Sequence, residues 1–534
     1  MKSAFVNGKV YMNAGQFAEA VLVEDGVIVA VGGTSEVKMI AGDAEVVDLG
    51  GRTVLPGLND SHCHLYSVGV SLTSLMMLGC TSVTACIETG REYIKKNNIP
   101  AGRAIFGRGW NQDYFTDEVR LLNRHDLDKI STEHPIVVRR ACGHIATCNT
   151  LALEKAGITK DTPQVAGGEI RRDEAGELSG IFSENAIVLL NKLEEVPTQE
   201  EMLKTLKAAM AYANTHGITS VQTNCVKDEN TDTMLGLYEE LGRRGEATLR
   251  AYHQCNFTNV GGLKKFIADG HKTGKGTDMN KIGPLKLFVD GSLGARTAVM
   301  RKPYHDDPST TGVVCLTQEQ LDEMVETAHK AGLQVATHAI GDGGIDMIVS
   351  SYEKVIGDSP NKNRHGVVHV QITDIPLLER FKKSDIMALV QPIFLHYDMK
   401  IVEGRVGHDL AMTSYAFNTM DKMGIHVGYG TDSPVEDLNS MNNIHCAVNR
   451  QDMKGEPAGG YNPAECVPLT QAIDNYTAGS AYISFDEQKK GRIQPGFLAD
   501  MCVLDRDIFT IDPSEIMNVK VDMTILGGKT VYTR

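Results

Sequence analysis

Eight short apolar runs, most of them separated by helix-length stretches, recur through the middle of this chain and constrain its fold more than any other feature. They cover residues 53–59, 217–222, 247–254, 285–290, 333–338, 366–370, 387–391 and 425–431. Strand-like runs alternating with helices are the pattern of parallel βα units. Residues 318–330 read as one such helix, with Gly332 just past its end as a stop signal. Eight parallel units predict an α/β fold, a (β/α)8 barrel of the TIM type.

Both ends of the chain read differently. Residues 5–11 place Asn7-Gly8 between apolar flanks, and residues 20–31 place Asp25-Gly26 between two more; both patterns predict β-hairpins. Near the C-terminus, residues 499–505 predict a strand, and residues 523–532 a hairpin around Gly527-Gly528. Isolated hairpins are marginal alone. Residues 1–54 and 490–534 are therefore expected to close one small β-sandwich domain, leaving 55–489 for the barrel. The gap between the first and second runs is too long for a loop. It predicts an inserted subdomain at about 66–200, which contains Trp110, the single tryptophan.

Composition narrows the function. A net charge of −15 without a basic cluster disfavours nucleic acid and anionic membranes as partners. No apolar run approaches membrane-span length, and the first residues lack the apolar core of a signal peptide. Eleven scattered cysteines without Cys-x-x-Cys pairs fit a reducing compartment, so a cytoplasmic location is expected. A homo-oligomer is compatible with the sequence.

Barrel enzymes place their chemistry at the C-terminal ends of the strands. The first run leads into His62-Cys63-His64, whose alternate residues share a face of an extended segment. The fourth carries Lys286, the fifth ends at His338, the sixth reaches His369, and the eighth is followed by Asp432. Singly, each is a common structural residue. Jointly, four imidazoles, a carboxylate and a lysine in one position of a repeating unit predict a divalent metal centre of one or two ions, zinc being the natural choice. Such a metal lowers the pKa of its water to about 7, and two ions ~3.5–4 Å apart share the hydroxide. Four neutral imidazoles bring no negative charge to two dications. A carbamate formed from Lys286 and carbon dioxide would add some; a salt-bridged lysine is the plain alternative. Asp432 can hold a metal and act as general base and acid.

With these residues assembled, the chain resembles the amidohydrolase superfamily, most closely its YtcJ-like branch of metal-dependent hydrolases, which includes N-substituted formamide deformylases. The resemblance runs through the segments at residues 57–64, 109–112, 167–170, 286–297, 337–342 and 491–500, and through Gly143-His144 with Asn149. It implies a barrel with a sandwich from both termini. It also implies hydrolysis of a carbon–nitrogen bond other than a peptide bond in a small amide-type substrate. The centre it implies is zinc-like, ligated by His62, His64, His338, His369 and Asp432 and bridged by an N6-carboxylated Lys286.

Trp110, His144 and Arg296 are candidates for substrate contact. Core packing, a structural hydrogen bond and a plain salt bridge are the respective alternatives. Asp290 is a candidate support for the centre. Two other functions stay open. One is a mononuclear deaminase of the same barrel type, although no Glu follows His338 and Lys286 has no use there. The other is a regulatory barrel protein without activity.

Overall fold

The computed structural model describes residues 2–141, 144–194 and 196–534. The chain divides into two compact units, Gly69–Ala208 and the remainder. No helix among the described residues is long and apolar enough to cross a membrane.

The larger unit holds an eight-stranded parallel sheet in which neighbours in space are neighbours in sequence. Its strands are β1 (Leu58–Cys63), β2 (Ile218–Lys227), β3 (Arg250–Asn256), β4 (Asn280–Phe288), β5 (Val335–Ala339), β6 (Gly366–His369), β7 (Met387–Val390) and β8 (Val427–Tyr429). Helices follow most of them, among them Gln318–Lys330, opened by a Thr317 cap whose hydroxyl accepts from the Gln320 amide. This is the (β/α)8 barrel.

The seam between β8 and β1 is closed by side chains and crossing backbone bonds. The Asp60 carboxylate accepts from the Thr431 amide (3.1 Å) and hydroxyl (2.7 Å) and from the His62 amide. The Asp432 amide donates to the His62 carbonyl at 2.7 Å, and the His64 amide to Ser433 at 2.8 Å. This approach requires Gly430, because a Cβ there would lie 2.5 Å from the His62 nitrogen.

The same unit carries two further sheets. One has four strands, Val27–Gly32, Ala20–Glu24, Lys2–Val6 and Glu45–Asp48, in that order. The other has six and draws on both ends of the chain: Thr53–Pro56 pairs antiparallel with Met501–Leu504, setting Val54 opposite Val503. Phe5, Val21, Val54, Phe497, Met501 and Ile525 share one buried core between them.

Two sequence expectations need correction. The run at 53–59 is not one strand. Thr53–Pro56 belongs to the six-stranded sheet, and the barrel strand begins at Leu58. The break falls at Gly57, where a Cβ would lie 2.1 Å from the Thr219 hydroxyl, so the chain changes sheets at a point only glycine can occupy. Asn7-Gly8 is not a hairpin turn either. Lys2–Val6 pairs with Ala20–Glu24 and Glu45–Asp48, whereas Lys9–Asn13 pairs with Gln16–Ala18 and Thr53–Pro56. A two-residue type I′ reversal needs both central residues left-handed; here only Asn7 is, and the chain turns a corner between sheets. The Asp25-Gly26 and Gly527-Gly528 hairpins form as read.

The smaller unit is built on a mixed six-stranded sheet. Its strands run Gly168–Arg172, Leu178–Glu184, Ile145–Cys148, Ile136–Arg140, Ile105–Trp110 and Leu75–Met76. Helix Val83–Asn97 starts at the Ser82 cap and buries Val83, Cys86 and Ile87 in a core with Leu75, Trp110 and Leu127. Phe182, Ala146 and Leu190 belong to a second core.

Candidate metal centre

Five barrel strands deliver six ligand-type side chains. His62 belongs to β1 and His64 follows it; Lys286 lies in β4, His338 in β5 and His369 ends β6; Asp432 follows β8 by three residues. The four imidazoles form a chain of ring contacts: 5.3 Å between His64 and His62, 5.7 Å to His369, and 4.4 Å on to His338. His369 (φ 85°) and Asp432 (φ 57°) take left-handed backbone, unfavourable for non-glycine residues and typical of functional turns.

Hydrogen bonds fix which ring nitrogen faces inward. His64 Nδ1 lies 3.0 Å from the Asn224 carbonyl, which can only accept, so Nδ1 carries the proton and Nε2 a lone pair. His62 Nδ1 meets Gln254 Oε1 at 2.6 Å, and His369 Nδ1 meets Gln391 Oε1 at 2.7 Å, leaving the same nitrogen open. His338 is turned the other way. Its Nε2 donates to the Gly291 carbonyl at 3.0 Å and lies 3.3 Å from Asp290, leaving Nδ1 open.

Asp432 Oδ1 sits 3.2 Å from His62 Nε2 and 3.1 Å from His64 Nε2. With both protons committed elsewhere, these close contacts are not hydrogen bonds, and Oδ1 is a buried oxygen without a donor. Three lone-pair atoms within 4.8 Å of one another repel unless a cation lies among them. That donor set, two imidazoles and a carboxylate, fits a divalent ion of the zinc type.

Electrostatics agree. Burial drives the His62 pKa down to about 4 and His369 well below the usual histidine range, so both rings are neutral near pH 7. Burial alone would raise the Asp432 carboxyl, and with bare Nε2 atoms facing it a cation among them is what would hold it ionised. Lys286 is fully buried, its Nζ has no hydrogen-bond partner, and it lies 3.9 Å from the centre of the Phe288 ring. Desolvation lowers its pKa to about 7, against the opposing pull of Asp432 and Asp290. The salt-bridged lysine weighed from sequence is therefore absent.

The remaining candidates are each engaged by other neighbours. Trp110 is no pocket wall: it is wholly buried in the core of the smaller unit, its indole N–H donating to the Val138 carbonyl. His144 is exposed in that unit and pairs with Glu184 at 2.9 Å; Gly143 beside it lies outside the described residues. Arg296 is committed to Asp306 through two bonds of 2.9 and 3.0 Å, the plain salt bridge rather than an open substrate contact. Asp290 accepts from the Val299, Ile340 and Gly341 amides and so ties the loops after β4 and β5 behind His338. A cavity of about 540 Å³ among the loops after β4 to β7, lined by Arg301, His305, Asp342, Asp374 and His408, includes none of the six ligand-type residues.

Sequence reasoning missed Asp60, Gln254 and Gln391. Gln254 and Gln391 terminate the third and seventh apolar runs, the position that marked His338, and that was the available signal.

The sequence pattern of the amidohydrolase family (Amidohydro_3) matches residues 45–532. The chain belongs to this family. YtcJ of Bacillus subtilis (strain 168) is 32% identical over the full length of both chains. The N-substituted formamide deformylase of Arthrobacter pascens is 26% identical, covering 97% of this chain and 95% of its own. A metal-dependent hydrolase from Pyrococcus furiosus, known from its crystal structure, superposes with a TM-score of 0.78 at 28% identity, covering 96% of this chain and all of its own. Within this amidohydrolase, the ligand-type residues sit on the barrel face where such folds carry out their chemistry.

Proposed function

We propose that this amidohydrolase cleaves a carbon–nitrogen bond other than a peptide bond, in an amide or formamide of small-molecule size. The observation that carries the reading is the convergence of His62 Nε2, His64 Nε2 and Asp432 Oδ1 with no proton between them. His62, His64, His338, His369 and Asp432 would hold one or two zinc-type ions, which when bound supply Lewis acidity and bring the pKa of water to about 7.

The rest is work for the chain's own residues. Asp432, ionised beside a bound cation, takes a proton from the attacking water as the new carbon–oxygen bond forms. It returns that proton to the nitrogen as the carbon–nitrogen bond breaks, so that acid and amine leave. Lys286, with its amine readily neutral near pH 7, can add to carbon dioxide; the new nitrogen–carbon bond gives a carbamate and releases one proton. Its buried and unpaired Nζ supports that role, since a permanent ammonium beside bound dications would be repelled. Asp290 and Asp60 keep the ligand loops in place.

The Arthrobacter relative makes N-substituted formamides the first substrates to test. The assay is metal analysis of the purified protein together with turnover of a panel of N-substituted formamides and N-acyl amines, read as released amine. At least one ion per chain is expected, with turnover that chelation abolishes and zinc restores. Failure to bind any ion after zinc loading would overturn the reading. A bound ion without turnover would favour a regulatory role, the one named for a Pectobacterium carotovorum relative 25% identical to this chain.

A further inference from the structure

Ligand-type residues come from β1, β4, β5, β6 and β8, which leaves β2, β3 and β7. Each of these three supplies an acceptor to a ligand imidazole. The β2 contribution is a backbone carbonyl, that of Asn224. The other two are side-chain amides, Gln254 from β3 and Gln391 just after β7, at 2.6 and 2.7 Å. Both glutamines are essentially inaccessible to solvent.

An amide can present either end to a ring, and its neighbours decide which. Gln254 Nε2 donates to the Ser61 carbonyl at 3.0 Å, and Gln391 Nε2 to the Leu389 carbonyl at 3.1 Å. Carbonyls only accept, so each NH2 is committed and each Oε1 faces its imidazole. The rings answer with Nδ1–H and direct a bare Nε2 inward. Carboxylates often fill this position and raise ligand basicity. Here the partner is uncharged, so the ring is oriented without adding negative charge to a buried site that already holds Asp432.

We infer that Gln254 and Gln391 are positioning residues that select the Nε2-open tautomer of His62 and His369 and thereby set the affinity of the centre for zinc. The inference rests on the metal-dependent reading above. Gln254→Met and Gln391→Met keep the bulk and remove the acceptor. Each is expected to weaken zinc binding about 10–100-fold, measured by competition against a chelator.

Gln334→Met controls for the loss of any buried glutamine. That side chain bonds Tyr252 and the Arg364 and Ile483 carbonyls and touches no ligand, so its loss should lower the melting temperature and leave zinc affinity unchanged. Wild-type zinc affinity in both Met variants would overturn the inference while leaving the metal reading intact; a wild-type protein that binds no zinc would overturn both. A second measurement does not depend on the variants folding. In metal-free wild-type protein labelled with 15N-histidine, His62 and His369 should show protonated Nδ1, and protonation at Nε2 would overturn the inference.

Discussion

The two ends of the barrel treat a buried lysine in opposite ways. At the N-terminal end, every charge named here is matched. The Lys490 ammonium meets the Ser220 hydroxyl at 2.5 Å and Asp486 at 3.3 Å, Lys281 also bonds Asp486, and Arg250 forms a two-bond pair with Asp500 at 2.7 and 2.9 Å. At the C-terminal end, Lys286 Nζ and Asp432 Oδ1 are equally buried and have no partner. Lys286 and Lys490 are the same residue type, both hidden from solvent; one is satisfied by its neighbours and the other is not. Unpaired buried groups destabilise a fold, so a stranded lysine and carboxylate side by side mark a place where the chain gives up stability for chemistry.

Four experiments can break or sharpen that contrast. The largest effect belongs to Asp432→Asn, expected to lower kcat by about 10³-fold or more while much of the zinc is retained, read by steady-state kinetics and metal analysis. Near-normal turnover would remove Asp432 from the proton path. Next is Arg250→Leu at the opposite end. It strands the buried Asp500 and should cost about 3–5 kcal/mol in denaturant unfolding, in metal-free and zinc-loaded protein alike. A cost confined to the zinc-loaded form would blur the distinction between the two ends.

The third experiment concerns pH. Burial lowers the pKa of His253 to about 4 and of His365 to about 3, so the unfolded chain binds these protons first as the pH falls. Metal-free protein should therefore be fully stable with respect to these two groups above pH ~6.5 and lose stability as the pH drops towards 4 and then 3. Each histidine adds a slope of up to about 1.4 kcal/mol per pH unit. A flat profile across that window would show that the two rings protonate inside the fold. The smallest effect is expected for Lys286→Met, which removes an unsatisfied buried amine from a space of similar volume. Metal-free protein should gain about 1–3 kcal/mol in the same unfolding assay, although activity is lost. Loss of stability instead would mean that Lys286 supports the fold.

The candidate set was legible in the sequence because strand ends align in a repeating unit, so His62, His64, Lys286, His338, His369 and Asp432 could be picked by position before any contact was known. The supports were harder to read. A glutamine at a strand end carries no distinctive chemistry until its amide is seen between a carbonyl and a ring, as for Gln254 and Gln391. Asp60 lies only two residues before His62, but its partner Thr431 is 371 positions away, and no local pattern joins them. The misread run at 53–59 has the same origin. Apolar residues continue across the junction, and only the tight fit of Gly57 against Thr219 separates two strands of different sheets. Trp110 misled for a different reason: an aromatic in a distinctive motif can serve a pocket or a core, and the choice depends on neighbours such as Leu75 and Leu127.

The seam between the first and last barrel strands has a consequence for biogenesis. The backbone bonds that join His62 to Asp432 and Ser433 to His64 also close the cylinder, so the contact that shuts the seam is the one that brings Asp432 against His62 and His64. A nascent chain shorter than 432 residues would lack both the closing stave and the anionic donor, with His62 and His64 already synthesised but open to solvent. On the proposed metal-dependent reading, full-strength metal capture waits until the last barrel strand and Asp432 have been made, and metal occupancy reads out whether the cylinder has shut.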